Sequence, residues 1–151
     1  MITVDGPAEI KALAGRDLGV SEWLEVTQER VNTFADATGD HQWIHVDPEK
    51  AASGPFGGTI AHGYLTLSLV IPLFTSLLEI RGVSMSINYG LEKVRFPSPV
   101  KVGSRIRLAA KVAEVTEVAG GGVQMICDFT VEVEGSEKPA CVARPVYRHY
   151  P

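Results

Sequence analysis

The sequence predicts one α+β domain over residues 1–151, an antiparallel sheet wrapped around a long apolar helix. Three observations carry this expectation. The run from Tyr64 to Ile80 is apolar on nearly all sides, as a buried central helix is. The C-terminal half alternates apolar and polar residues, the period of half-buried antiparallel strands. No repeat, low-complexity stretch or linker divides the 151 residues, a length that encloses one substantial core.

The elements follow in order. The N-terminal third reads as irregular and helical, with one strand around Gly19 to Val26. Thr27 is a good N-cap, and Gln28, Glu29, Val31, Phe34 and Ala35 continue it at helical spacing. Gly39 stops that helix, and Asp47-Pro48-Glu49 opens another with a cap and a first-position proline. The helix from Tyr64 to Ile80 is expected to kink at Pro72, whose ring removes a donor and crowds the preceding turn. A strand runs from Ser84 to Phe96. Its face of Met85, Ile87, Tyr89 and Leu91 changes phase at Val94 and Phe96, so a bulge is expected between Gly90 and Lys93. Ile106, Leu108, Ala110 and Val112 form the next inward face, with Arg105, Arg107 and Lys111 opposite. Gly120-Gly121-Gly122 turns the chain into a strand from Val123 to Val133, and Ala140 to Tyr147 makes the last strand.

Composition excludes several roles. Hydrophobic and charged contents of 45% and 21% are those of a soluble domain. A net charge of −4 without a basic stripe argues against nucleic-acid binding. Asp5 and Glu9 come early and no long apolar core follows, so no secretory signal is expected. Pro72 and the polar residues of the Tyr64–Ile80 run favour burial over a membrane span. Strand pairing about Gly135-Ser136 sets Cys127 nearer Arg144 than Cys141, so no disulfide is expected. Two free cysteines fit a reducing, cytoplasmic compartment. No Cys/His spacing marks a metal site, and no cofactor is expected.

The chemistry gathers in Phe34 to Ala51, where Asp40 and His45 share one short loop between two helices. A carboxylate and an imidazole so placed can take a proton from water and give one to carbon. Spacing alone favours ordinary loop chemistry, since Asp bonds its own backbone after a helix-ending glycine. Two further segments change that balance: Ile60-Ala61-His62-Gly63-Tyr64 ahead of the long helix, and Phe96-Pro97-Ser98-Pro99-Val100 between two strands. In that order, the three segments resemble the MaoC-like dehydratase family, the hydratase 2 or (R)-specific enoyl-CoA hydratases. The family's loop pattern is approximately G-D-x-N-P-I-H. Gly39, Asp40, Ile44 and His45 match it, while Gln42 and Trp43 replace the usual Asn and Pro.

The resemblance implies the hot-dog fold. It also implies reversible syn addition of water to a trans-2-enoyl-CoA, giving an (R)-3-hydroxyacyl-CoA. His45 is then the general base, with a reference pKa near neutrality, and Asp40 orients the water and returns the proton; the reverse allocation stays open. The Gly63 N–H, at the predicted helix start, is the oxyanion donor, a site where a side chain would keep the thioester oxygen away. A glycine that merely eases the turn is the plain alternative. His62 is expected to cap or pack, His41 to be exposed, Trp43 to pack the loop, and His149 to lie in a tail without a role. Lys93, Arg95, Lys101, Arg105 and Arg107 read as a solvated face more readily than as phosphate ligands. A homodimer is expected, because related hot-dog domains pair sheet edges. Two rival readings are a hot-dog thioesterase, disfavoured by the lack of Asp or Glu from Tyr64 to Leu78, and a non-catalytic partner subunit, disfavoured by the intact Asp40, His45 and Gly63.

Overall fold

The computed structural model describes every residue from Met1 to Pro151. Strand β1 (Ile2–Asp5) and helix α1 (Gly6–Lys11) open the chain. The single strand expected over residues 19–26 is two, β2 (Asp17–Val20) and β3 (Leu24–Glu25). Ser21 interrupts them. Its hydroxyl accepts from the Leu108 N–H and donates to the Glu22 carbonyl, each at 2.9 Å, so a side chain takes a ladder position.

Helices α2 (Gln28–Thr38), α3 (Trp43–Val46) and α4 (Pro48–Ala52) follow. The expected long helix is then two short ones, α5 (Gly63–Ser68) and α6 (Val70–Thr75). Pro72 has no N–H for the Ser68 carbonyl, four residues back, and the break falls there, at Leu69. The helical segment also ends early. Leu78–Arg81 forms strand β4, paired in parallel with β1 from Ile2↔Leu78 to Asp5↔Arg81. An apolar run alone does not separate a buried helix from a buried strand, and the partner that decides lies some 75 residues away.

Strands β5 (Met85–Arg95), β6 (Arg105–Val118), β7 (Gly122–Val133) and β8 (Cys141–Tyr150) complete the main sheet. Its order is β2-β6-β7-β8-β5, with β3 also on β6, and every pair is antiparallel. This is the expected α+β hot-dog architecture. Leu65, Leu69, Val70, Leu73 and Phe74 of the central helices share one core with Ile106, Leu108, Met125, Phe129 and Tyr147 of the sheet. The Phe74 ring lies 5.6 Å from Tyr147, nearly parallel, and 5.1 Å from Phe129. Each large side chain so buried contributes about 1.5–3 kcal/mol.

The register of β5 on β8 slips twice, between Asn88 and Gly90 and between Leu91 and Lys93. The second slip is the expected bulge. Both flank Leu91↔Pro145, where β8 has no N–H to offer the ladder. Strand β8 runs to Tyr150, three residues past its expected end, because Arg148–Tyr150 pair with Met85–Ile87. His149 is therefore not in a tail; it is buried in a strand. Cys141 pairs with Val131, and both thiols are free and buried. Burial pushes Cys127 up to about 12 and Cys141 to about 11, which makes them inert core residues.

Candidate active site

Local chemistry sets the loop that carries Asp40 and His45. The Thr27 hydroxyl accepts from the Arg30 N–H at 3.2 Å and starts α2. Gly39 ends it in the left-handed region at φ 78°, a conformation costly to a residue with a Cβ. The Asp47 carboxylate accepts from the Lys50 N–H at 3.1 Å, with Pro48 at the first position of α4. What read as a plain loop carries the single turn α3, and His45 sits on it.

His45 is buried and held on both sides. Its Nδ1 lies 2.7 Å from the Ile60 carbonyl, which can only accept, so Nδ1 carries the hydrogen and Nε2 is left as the free basic nitrogen. Gln28 Nε2 donates to the His45 carbonyl at 2.7 Å, and Gln28 Oε1 accepts from the Thr59 hydroxyl at 2.6 Å. The Ile60 N–H donates back to the Ile44 carbonyl at 2.9 Å. Gln28 was legible only as a helix residue, and Thr59 and the Ile60 carbonyl carried no signal at all. The Asp40 carboxylate is exposed and has only a 3.5 Å contact with the Gln42 N–H. Ligating atoms of Asp40, His45 and His62 all lie within 4.8 Å of one another.

His62 stands at the N-cap position of α5 but its side chain makes no cap bond; it packs, buried. Its Nε2 donates to the Asp40 carbonyl at 2.9 Å. Its ring stacks on His45, with centroids 3.9 Å apart and planes 23° from parallel. That stacking makes a poor metal site. Imidazole binds an ion along its ring plane, and two stacked rings do not aim such lone pairs at one point. The cluster suits proton transfer better.

Gly63 is the first residue of α5, so its N–H has no acceptor within the helix; the first helical bond runs from Thr66 N–H to the His62 carbonyl. Its backbone is outside the left-handed region, so turn geometry does not require glycine here. A Cβ here would stand 3.3 Å from the Phe96 ring, close enough that the exposed ring must give by a few tenths of an ångström. The Phe96–Val100 segment is thus tied to the site. Its Phe96 faces Gly63, and its Val100 carbonyl accepts from the Ala61 N–H at 2.8 Å.

Asp40, His45, His62 and Gly63 line one cleft of about 400 Å³, walled by Phe34 and Phe96. Farther along the central helices lie two more cavities, of about 230 and 350 Å³, both lined by Ile71, Asn88 and Tyr147. Burial holds the Tyr147 phenol above its usual range, so it stays neutral. Of the basic residues, Arg105 and Arg107 are tied to Glu134 and Glu132, as a solvated face predicts. His41 is exposed and paired with Asp36 at 2.8 Å. Trp43 packs the loop: Lys50 lies 4.8 Å over its ring, and the ring approaches Gly54.

The model of the MaoC like domain family matches residues 9–134. A relative in Mycobacterium tuberculosis, 3-hydroxyacyl-thioester dehydratase Z, is 55% identical over 149 residues, 99% of both chains. Nodulation protein N of Rhizobium leguminosarum bv. viciae is 47% identical over 138 residues, 90% of this chain and 86% of that protein. Among solved structures, the (R)-hydratase from A. caviae involved in PHA biosynthesis superposes with a TM-score of 0.71 at 23% identity. The match covers 91% of this chain and 96% of that one, a likeness of fold.

Proposed function

This chain belongs to the MaoC-like dehydratase family, a family of hydratases and dehydratases, and from that premise we propose that it is an (R)-specific enoyl-CoA hydratase. Asp40 and His45 hold one water between them. Its oxygen bonds to the β-carbon of the enoyl thioester, and the double-bond electrons move onto the thioester oxygen. The proton removed from the water returns at the α-carbon, so one water is added and nothing is left over. His45 Nε2 takes that proton, because Nδ1–H is already spent on the Ile60 carbonyl. The Gly63 N–H meets the charge that builds on the thioester oxygen. The acyl chain runs on along α5 and α6 towards Ile71 and Tyr147.

The observation that carries the reading is the meeting of Asp40 and His45 in one cleft with the Gly63 N–H. The 55% identity to a 3-hydroxyacyl-thioester dehydratase supports it. The thioesterase reading weakens further, because Glu79 is not on the helix; it lies in β4, bonded to Arg81 and Thr3. No helix is long and apolar enough to cross a membrane. The protein works as a homodimer, joined along the apolar edge strand β5.

A spectroscopic hydration assay on crotonyl-CoA and longer enoyl-CoAs tests the reading. Asp40→Asn and His45→Gln are each expected to lower kcat about 10²–10⁴-fold, the worth of positioned proton transfer, with the fold intact. Either variant working at near-wild-type kcat sinks the assignment.

A further inference from the structure

We propose that His62 is a positioning residue for the proton-transfer pair, its Nε2–H holding the Asp40 main chain while its ring backs His45. The inference rests on the catalytic reading of Asp40 and His45 and adds a third side chain to it. His62 is an N-cap by position, but its side chain makes no cap bond. Its one hydrogen bond crosses 22 residues to the Asp40 carbonyl, at 2.9 Å. The Asp40 side of the loop is otherwise loosely held: the Asp40 N–H reaches the Thr38 hydroxyl only at 3.4 Å, and its carboxylate reaches the Gln42 N–H only at 3.5 Å. His62 is the firm tie on this side, as Gln28 and Ile60 are on the side of His45.

The ring serves as well as the donor. It lies between Phe34, 4.9 Å away, and His45, 3.9 Å away, and so limits the rotation of the His45 imidazole. His62 is also bonded to Gly63, whose N–H lies in the same peptide unit as the His62 carbonyl. One side chain therefore spaces the acid, the base and the oxyanion donor. The second ring nitrogen, Nδ1, is buried without a partner.

The test compares His62→Phe, which keeps a ring of similar size and loses the donor, with His62→Gln, whose amide N–H can reach the Asp40 carbonyl. Crotonyl-CoA hydration is measured for both, beside Asp40→Asn, with circular dichroism on each protein. His62→Phe is expected to lose about 10²-fold in kcat, the cost of misplacing catalytic groups by an ångström, with KM within about two-fold of wild type. His62→Gln is expected to recover about ten-fold of that loss. Wild-type kcat in a folded His62→Phe protein, a loss confined to KM, or equal rates for the two variants overturns the proposal. If His62→Phe does not fold, His62→Leu takes its place in the same comparison. An active Asp40→Asn variant removes the catalytic reading and this inference with it. An inactive Asp40→Asn beside a fully active His62→Phe removes this inference alone.

Discussion

Two histidines are buried to the same degree at opposite ends of the groove along the central helices. His62 and His149 each expose 3% of their surface, and each has one bonded ring nitrogen and one buried nitrogen without a partner. Their partners differ. His62 Nε2 meets a carbonyl, which only accepts, so its tautomer is fixed. His149 Nδ1 meets the Ser86 hydroxyl at 2.8 Å, which can donate or accept, so either tautomer is satisfied. His62 also stacks on a second imidazole, whereas the ring nearest His149 is Tyr147, 6.5 Å away. Equal burial therefore yields a fixed fixture at one end and an adaptable one at the other. Hydrogen-bond direction and ring neighbours separate these two histidines; depth does not.

The His62 end of this comparison is expected to break most severely when the proposed oxyanion donor is removed. Gly63→Pro deletes the N–H at a first helical position, which proline favours. His62, at φ −60° and ψ 140°, already has the extended backbone required before a proline. A Cβ at this position meets the Phe96 side chain at 3.3 Å, and that side chain is exposed enough to yield. The expected outcome is a loss of about 10²–10³ in kcat with far less change in the binding of a saturated acyl-CoA. Gly63→Ala keeps the N–H and adds the same contact with Phe96, so its loss should be much smaller. Steady-state kinetics on the pair decide it, with circular dichroism as a control on folding. Equal losses would mean that the slot beside Phe96 matters and the N–H does not.

How much of this end was legible follows from how local each cause is. Thr27, Gly39, Asp47 and Pro48 act within four residues of themselves, and all four stand as read. The pairing of Asp40 with His45 was legible for the same reason. The role of Ile60 was invisible, because it works through a carbonyl that every residue has. His62 packs, one of the two roles its position allowed, but its hydrogen-bond partner was not legible because it lies 22 residues back. The break at Leu69 needed the position of Pro72 counted four residues backwards, and strand β4 needed its partner β1. Pro145 is the instructive intermediate. Its missing donor acts on the opposite strand, so the sequence showed a slip in β5 without showing why.

Between the two ends runs β5, which tests whether the groove is finished by a second copy of the chain. It lies at the sheet edge and exposes Met85 (49%), Ile87 (37%), Tyr89 (58%) and Leu91 (43%). An apolar edge of this kind invites pairing with another strand. The wild-type protein is expected to scatter light as a dimer at micromolar concentration. Ile87→Lys and Leu91→Lys are each expected to raise the dimer dissociation constant about ten-fold or more, since an apolar side chain buried on association contributes about 1.5–3 kcal/mol. A wild-type monomer under these conditions would remove the dimer, and larger assemblies of dimers would not.

The smallest expected effect belongs to the far histidine. Burial lowers the pKa of His149, so the folded protein resists the charged imidazolium. The unfolded chain takes up that proton near pH 6.5, the folded chain only at lower pH. In the window between, the unfolded state binds more protons, and stability falls as pH falls through about 6.5. His149→Phe removes both the titrating group and the unpaired nitrogen, and leaves Ser86 exposed to water. At pH 7, its stability should lie within about 1.5 kcal/mol of wild type, as for other volume-conserving core changes. Below pH 6.5 its melting temperature should fall less steeply than that of the wild type, while hydration of crotonyl-CoA at pH 7 stays unchanged. Parallel melting curves for the two proteins from pH 7 to pH 5 would show that His149 carries no such linkage. A loss of hydration would show that the two ends of the groove are coupled, and the contrast between the fixed and the adaptable histidine would then have to be abandoned.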